Sequence, residues 1–170
     1  MTSLNQLSKL AQRALTPLMK ERGFSPEKRF VYWRKRGPLY DLIWSEVLTG
    51  GALLRIGVTI WSPWVDDPSG ALHDFPPSSY LIGGSLSDEF PAVMHGGHLF
   101  DVSTPIKVEI AFRQILELLD GKAIPWFDSV RTFDEYMSYV GRRGFHPSPD
   151  YREQIRRGLA KGFESEPLPQ

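Results

Sequence analysis

The chain has 170 residues, of which 41% are hydrophobic and 12% aromatic, and its formal net charge is zero. This length and composition supply enough apolar material for a folded core and exclude an intrinsically disordered protein. The chain contains no cysteine, which excludes disulfides, thiolate nucleophiles and Cys-ligated metals. Polar and charged side chains interrupt the apolar pattern of residues 1–20. We therefore expect neither a signal peptide nor a membrane span, and a cytoplasmic location.

Charge is unevenly distributed along the chain. Residues 1–38 contain nine Lys and Arg against two Asp and Glu, and residues 39–104 contain one against eight. Residues 105–170 contain ten of each. This segregation predicts one basic and one acidic face, unless folding interleaves the first two segments so that they neutralise each other. Sequence order leaves both arrangements open.

The first predicted element is an amphipathic helix over about residues 3–22. Its apolar residues recur at spacings of three and four, and they are Leu4, Leu7, Ala11, Ala14, Leu15 and Leu18. Ser3 and Gln6 form a capping-box pattern at its start, and Gly23 provides its end. Pro17 removes one backbone hydrogen bond, so we expect the helix to bend or to restart there.

An antiparallel meander of three strands is predicted within residues 28–62. Aromatic and β-branched residues are interrupted there by turn signals at Gly37-Pro38 and Gly50-Gly51. Apolar residues occupy alternate positions of the third strand, namely Leu54, Ile56, Val58 and Ile60. This alternation predicts one fully apolar face of the sheet, which we expect the first helix to cover.

The sheet is predicted to extend to about residue 104. Residues 63–104 are rich in Pro, Gly, Ser and Asp, with short apolar runs at residues 80–82 and around Leu99. A structureless loop of this length is unusual in a compact domain, so we expect one or two added strands joined by exposed loops.

Helical periodicity returns in the last third of the chain, which predicts helices over about residues 105–162 and a tail at residues 163–170. The apolar residues of the first of these helices are Ile106, Ile110, Phe112, Ile115, Leu116 and Leu119. Thr104 and Pro105 predict its start and Gly121 its end. A second helix is expected to begin with a capping box at Thr132 and Glu135.

These elements predict a single α+β domain over residues 1–170. Its expected architecture is an antiparallel β-sheet meander packed by the N-terminal helix and by the C-terminal helices. The last helix is expected from about Pro149 to Lys161.

Three segments are similar to those of a known bacterial family. They are LTPLMKERGF at residues 15–24, LLRIGVTI at residues 53–60 and IPWF at residues 124–127. Together they resemble the family catalogued as domain of unknown function 4304, over nearly the whole chain. The resemblance implies an α+β fold and a bacterial source. It implies no established activity and no catalytic residue.

One cluster has the donor types of a divalent metal site, and it consists of His95, His98 and Asp101. If a metal bound there, a metal-assisted hydrolase would follow. Two glycines separate the histidines, so the alternative is a flexible turn that carries two exposed side chains and no metal. Asp41 and Glu46 point to opposite faces of a strand by parity, which argues against an acid–base pair. Without a recognisable nucleophile, phosphate or dinucleotide motif, we assign no catalytic residue and expect no cofactor.

Residues 28–36 interleave aromatic side chains with five positive charges. This combination is typical of single-stranded nucleic-acid binding. Strand alternation, however, sends Tyr32 and Arg34 to one face and Trp33 and Lys35 to the other. The alternative is therefore a basic edge strand with one aromatic set in the core, and the zero net charge argues against nucleic acid as a partner.

The favoured hypothesis is a non-catalytic protein-binding module. Rigid aromatic side chains in the acidic 63–104 segment are suitable anchors for an interface with a basic protein partner, unless these rings cap the open end of the sheet. The predicted partner-binding residues are Trp64, Asp66, Asp67, Phe75, Asp88, Glu89 and Phe90. The concrete form of this hypothesis is a bacterial immunity protein that neutralises a toxin. No membrane partner is expected, and the oligomeric state is left open.

Overall fold

A computed structural model describes residues 4–27, 31–66, 84–85 and 99–165. It confirms an α+β fold, in which an antiparallel sheet packs against the N-terminal helix and C-terminal helices. The helices are α1 (Leu4–Glu21), α2 (Pro63–Asp66), α3 (Pro105–Leu118), α4 (Ile124–Ser129), α5 (Phe133–Arg142) and α6 (Pro149–Ser165). The strands of the described residues are β1 (Ser25–Pro26), β2 (Val31–Arg36), β3 (Leu39–Leu48), β4 (Leu53–Trp61), β5 (Gly84–Ser85) and β6 (Phe100–Asp101).

Strands β1 to β4 lie side by side in chain order, and both β5 and β6 pair with β4. The two predicted hairpin turns are confirmed. Arg36 faces Leu39 across the first turn, where Gly37 has a φ of 52°. Gly50 and Gly51 have φ values of 61° and 94° in the second turn, a region that side chains disfavour.

The predicted additional strand near Leu99 is present as β6. Phe100 pairs there with Leu54, at the β4 end that follows the second hairpin turn. The other predicted strand, at residues 80–82, falls outside the described residues.

The apolar face of β4 is buried in the main core, as predicted from the alternation. Strand residues Leu54, Ile56, Val58 and Ile60 belong to one core cluster with the helix residues Leu7, Ala11, Leu15 and Met19. Pro17 is exposed, and α1 continues past it to Glu21. The amide of Phe24 then donates to the carbonyl oxygen of Met19 at 2.7 Å, and Gly23 has a φ of 81°, so the helix ends in a glycine cap.

The prediction that the helix beginning at Pro105 ends at Gly121 was wrong. Helix α3 passes into a π-helical turn (Leu119–Ala123), which leads directly into α4. Leu119 and Ala123 are both buried, so packing against the core holds this turn in helical form. Gly121 is exposed between them and does not adopt a positive φ. Tertiary burial therefore overrides the weak local preference of one glycine.

The predicted starts of α3 and α5 are confirmed. The Thr104 hydroxyl accepts a hydrogen bond from the Lys107 amide at the start of α3. At the start of α5, Thr132 and Glu135 form a reciprocal capping box. The amide of Arg131 also donates to the Glu135 carboxylate at 2.7 Å, and these hydrogen bonds hold the Glu135 pKa below its ordinary value.

Candidate functional site

Most of the predicted site residues lie outside the described part of the chain. Within residues 67–83 and 86–98 are Asp67, Phe75, Asp88, Glu89, Phe90, His95 and His98. The structure describes the backbone of Asp66 at the end of α2, and it describes Trp64 and Asp101 fully. Neither the proposed metal cluster nor the acidic binding surface is therefore tested as a whole.

Trp64 packs inward on the side of α2 that faces α6. It is half-buried against the main core, and a side-chain carbon placed on Gly158 of α6 would overlap its indole ring. The Tyr151 hydroxyl donates to the Val65 carbonyl at 2.7 Å and joins the same two helices. Among the described contacts, Trp64 therefore holds α2 against α6.

Asp101 is an exposed carboxylate that already has partners at the start of α3. It accepts hydrogen bonds from the Lys107 ammonium group at 2.6 Å and from the Ser103 hydroxyl and amide at 2.6 and 3.0 Å. The Lys107 contact, followed by those from Ser103, holds the Asp101 pKa well below its usual range. The described residues contain no group of three His, Cys, Asp or Glu side chains placed to hold a metal ion.

Two arginines of the basic, aromatic run at residues 28–36 form hydrogen bonds within the fold. Arg36 is 4% exposed and binds the fully buried Asp41 carboxylate through two hydrogen bonds of 2.6 and 2.7 Å. Arg34 reaches the same carboxylate at 2.8 Å and Asp128 at 2.7 Å. Arg36 also donates to the Val130 carbonyl at 3.0 Å. This network ties β2 and β3 to α4, through Asp128, and to Val130, which follows α4.

Tyr32 is also internal. It is 4% exposed, its hydroxyl shares a hydrogen bond of 3.1 Å with the Thr16 hydroxyl, and burial raises its pKa. Tyr32, Arg34 and Arg36 therefore point to the core face of β2. This arrangement supports the part of the predicted alternative in which one set of side chains lies in the core, over nucleic-acid binding by these three residues. The prediction of an edge strand was wrong, because β1 pairs with β2 on the side away from β3.

Sequence reasoning missed the buried network, although the sequence contained a signal for it. The two-residue turn at Gly37-Pro38 pairs Arg34 directly with Asp41 across β2 and β3. Opposite charges at facing positions of a hairpin predict a cross-strand ion pair. The neighbouring prediction about strand parity agrees with the structure, because Asp41 is buried whereas Glu46 is exposed and 3.3 Å from Arg55.

An apolar groove lies between α1 and α3. Its volume is about 370 Å³, and it is lined by Leu10, Ala14, Val108, Glu109, Phe112, Arg113, Leu116 and Glu117. The described α1 residues of its lining, Leu10 and Ala14, are apolar, and three charged residues of α3 stand among the apolar ones. Arg22 binds Asp120 at 2.7 Å, which joins the C-terminal ends of the two helical segments. The groove therefore runs along two helices that point in the same direction.

Two isoleucines of α3 lie exposed beside this groove. Ile106 is 72% exposed and Ile110 is 42% exposed. The sequence pattern placed both on the buried stripe of the helix, but the buried residues of α3 are Val108, Ala111, Phe112 and Ile115. At about 100° per residue, Ile106 and Ile110 fall on the side of α3 roughly opposite these buried residues, next to Arg113 and Glu117 of the groove lining. The two exposed isoleucines therefore form a surface feature that the sequence pattern did not predict.

The chain matches no protein-family model, no curated protein and no solved structure. The resemblance to domain of unknown function 4304 thus stays a prediction. No helix in the described ranges is both long and apolar enough to cross a membrane.

Proposed function

We propose that this chain is a non-catalytic protein-binding module that takes an amphipathic helix of a partner protein into the groove between α1 and α3. The observation that supports it is the apolar groove with Ile106 and Ile110 exposed beside it. In the described part of the chain, the exposed large apolar side chains are Leu99, Ile106 and Ile110. Ile106 and Ile110 lie one turn apart on α3, and neighbouring exposed apolar side chains are typical of interaction surfaces.

The shape of the groove suits a helix. Helix α3 has 14 residues, and at about 1.5 Å per residue it provides a wall roughly 21 Å long, the length of nearly four helical turns. Ile106 and Ile110 are one turn apart, so they match a partner that presents apolar residues with the same spacing. Two adjacent parallel helices leave a channel that a third helix fills by ridge-into-groove packing.

The charged residues that line the groove indicate the charge of the partner helix. Glu109 and Glu117 stand on α3 with Arg113 between them, and the described α1 residues of the lining are apolar. A partner helix with an apolar stripe and basic residues on its α3-facing flank complements this pattern. This chemistry agrees with the basic partner expected from the sequence, although the surface differs from the predicted 63–104 segment. A bacterial immunity protein that neutralises a toxin is the concrete form of the proposal.

The test is a double substitution, Ile106→Ser with Ile110→Ser. Both side chains are exposed, so we expect the free energy of unfolding to change by less than about 1 kcal/mol. The loss of two apolar anchors should weaken partner binding by about tenfold or more. The measurement is comparative affinity capture from a lysate of the source organism, with co-purifying chains quantified by mass spectrometry. The matched control is Gln154→Ser with Ala160→Ser on the exposed side of α6.

The proposal predicts one stoichiometric protein that the wild type and the α6 control retain and the isoleucine variant loses. Equal retention of that protein by all three would contradict it. So would a wild-type homodimer that the isoleucine variant converts to a monomer, because the groove would then hold a second copy of this chain. Sedimentation velocity of the purified proteins distinguishes the second outcome.

A further inference from the structure

A second groove lies on the opposite flank of α1, between that helix and β1. It has a volume of about 340 Å³ and is lined by Lys9, Gln12, Arg13, Thr16, Lys20 and Pro26. Three of these residues are cations and none is acidic. Its lining is therefore opposite in character to the apolar groove on the other flank.

The three cations are spaced along one stripe of α1. Lys9, Arg13 and Lys20 follow each other after one turn and then after about two turns, so their backbone positions span roughly 16 Å of the helix axis. All three side chains are exposed. They form no ion pair with another described residue, whereas Arg22 and Arg34 nearby are bound to Asp120 and Asp41. Within the described residues, no acidic side chain neutralises the positive charge of this groove.

We propose that this basic groove binds an acidic segment of a protein, rich in Asp and Glu. The residues of its lining that the structure describes include no aromatic ring. Sites for single-stranded nucleic acid combine cations with aromatic platforms on which bases stack, so the lining favours carboxylates on a peptide over a nucleic-acid strand. The Gln12 amide adds a neutral hydrogen-bond donor between the cations.

The inference rests on the proposed function, because it assigns the acidic segment to the same partner. A helix with its side chains is about 10–12 Å wide. A protein interface that buries about 800 Å² on each side extends well beyond that width. A partner seated in the apolar groove therefore reaches over α1 to the basic groove. Its charge should be asymmetric, basic toward α3 and acidic toward the outer side of α1.

The experiment uses a fluorescein-labelled peptide of about eight alternating Asp and Glu residues, which in extended form exceeds the roughly 16 Å stripe. Fluorescence anisotropy measures its affinity for the full-length chain. We expect saturable binding that weakens at least about tenfold when NaCl rises from about 50 to about 300 mM, because exposed charges are screened. The triple variant Lys9→Glu, Arg13→Glu, Lys20→Glu should weaken binding by about tenfold to a hundredfold.

The matched control carries the same charge change elsewhere, through Lys122→Glu, Arg142→Glu and Arg157→Glu. These three residues are exposed and outside both grooves. The control should keep at least about half of the wild-type affinity, since distant surface charges are screened. Circular dichroism confirms folding, and the milder variant Lys9→Gln, Arg13→Gln, Lys20→Gln should give an intermediate affinity.

Two outcomes would overturn the inference. The first is equal weakening by the groove variant and the control, which would mean that only net charge matters. The second is tighter binding of oligo-dT or tripolyphosphate than of the acidic peptide in competition, which would make the ligand a phosphate compound. Because the acidic peptide does not need the apolar groove, the Ile106→Ser, Ile110→Ser variant should bind it normally. The acidic-peptide experiment therefore tests the basic groove separately from the proposed function of the apolar groove.

Discussion

Replacing Asp41 with alanine is expected to lower the free energy of unfolding by about 3–5 kcal/mol. The substitution removes a carboxylate that is fully buried and leaves Arg36, which is 4% exposed, without its ionic partner. Arg34 keeps Asp128 as a partner and is more exposed, so most of the loss arises from Arg36. The unpaired positive charge of Arg36 must then either stay buried or open the structure.

Glu46 provides the matched control for this prediction. It lies on the same strand, 3.3 Å from Arg55, but both side chains are about half exposed. Glu46→Ala should therefore lower the free energy of unfolding by less than about 1 kcal/mol. Urea unfolding followed by circular dichroism measures both variants. Similar losses for Asp41→Ala and Glu46→Ala would show that the buried network does not stabilise the fold as described.

Replacing Gly158 with alanine is expected to lower the free energy of unfolding by about 1–3 kcal/mol. A methyl group at this position of α6 would overlap the indole ring of Trp64. The ring is anchored against the core and belongs to α2, whose Val65 carbonyl is bound by Tyr151. The structure can admit the methyl group only if the ring or the whole helix shifts.

The contrast with Gly141 makes this prediction specific. Gly141 lies inside α5, and the nearest atom to an added methyl group would be in the His146 ring at 3.9 Å. Gly141→Ala should therefore stabilise the protein by up to about 1 kcal/mol through helix propensity alone. Thermal unfolding of the two variants should give shifts of opposite sign. A rise in Tm for Gly158→Ala would mean that Trp64 is not held where the structure places it.

Local patterns were sufficient to predict much of the fold. The alternation in β4 identified the face that lies in the main core, and the turn glycines placed the hairpins correctly. These signals are reliable because they depend on residues close in the chain. The end of the helix at Gly121 was missed because burial of Leu119 and Ala123, a tertiary effect, maintains the helical turn there.

The candidate surface was harder to predict for the same reason. Its walls come from α1 and α3, and the ion pair that joins them links residues 98 positions apart, Arg22 and Asp120. The sequence pattern grouped Ile106 and Ile110 with the apolar residues of α3, but at about 100° per residue the two isoleucines lie roughly opposite the residues that the core buries. The basic groove depends likewise on the fold, because its lining brings α1 residues together with Pro26 of β1.

Site-specific photo-cross-linking tests the central claim most directly. A benzophenone side chain replaces Arg113, which lines the apolar groove, or Gln154, which is exposed on α6. Both variants are irradiated in a lysate of the source organism, and the adducts are identified by mass spectrometry. The account predicts that position 113 forms an adduct with one protein, through a helical segment with an apolar stripe, and that position 154 does not. Adducts with the same protein from position 154 alone would contradict a binding site between α1 and α3.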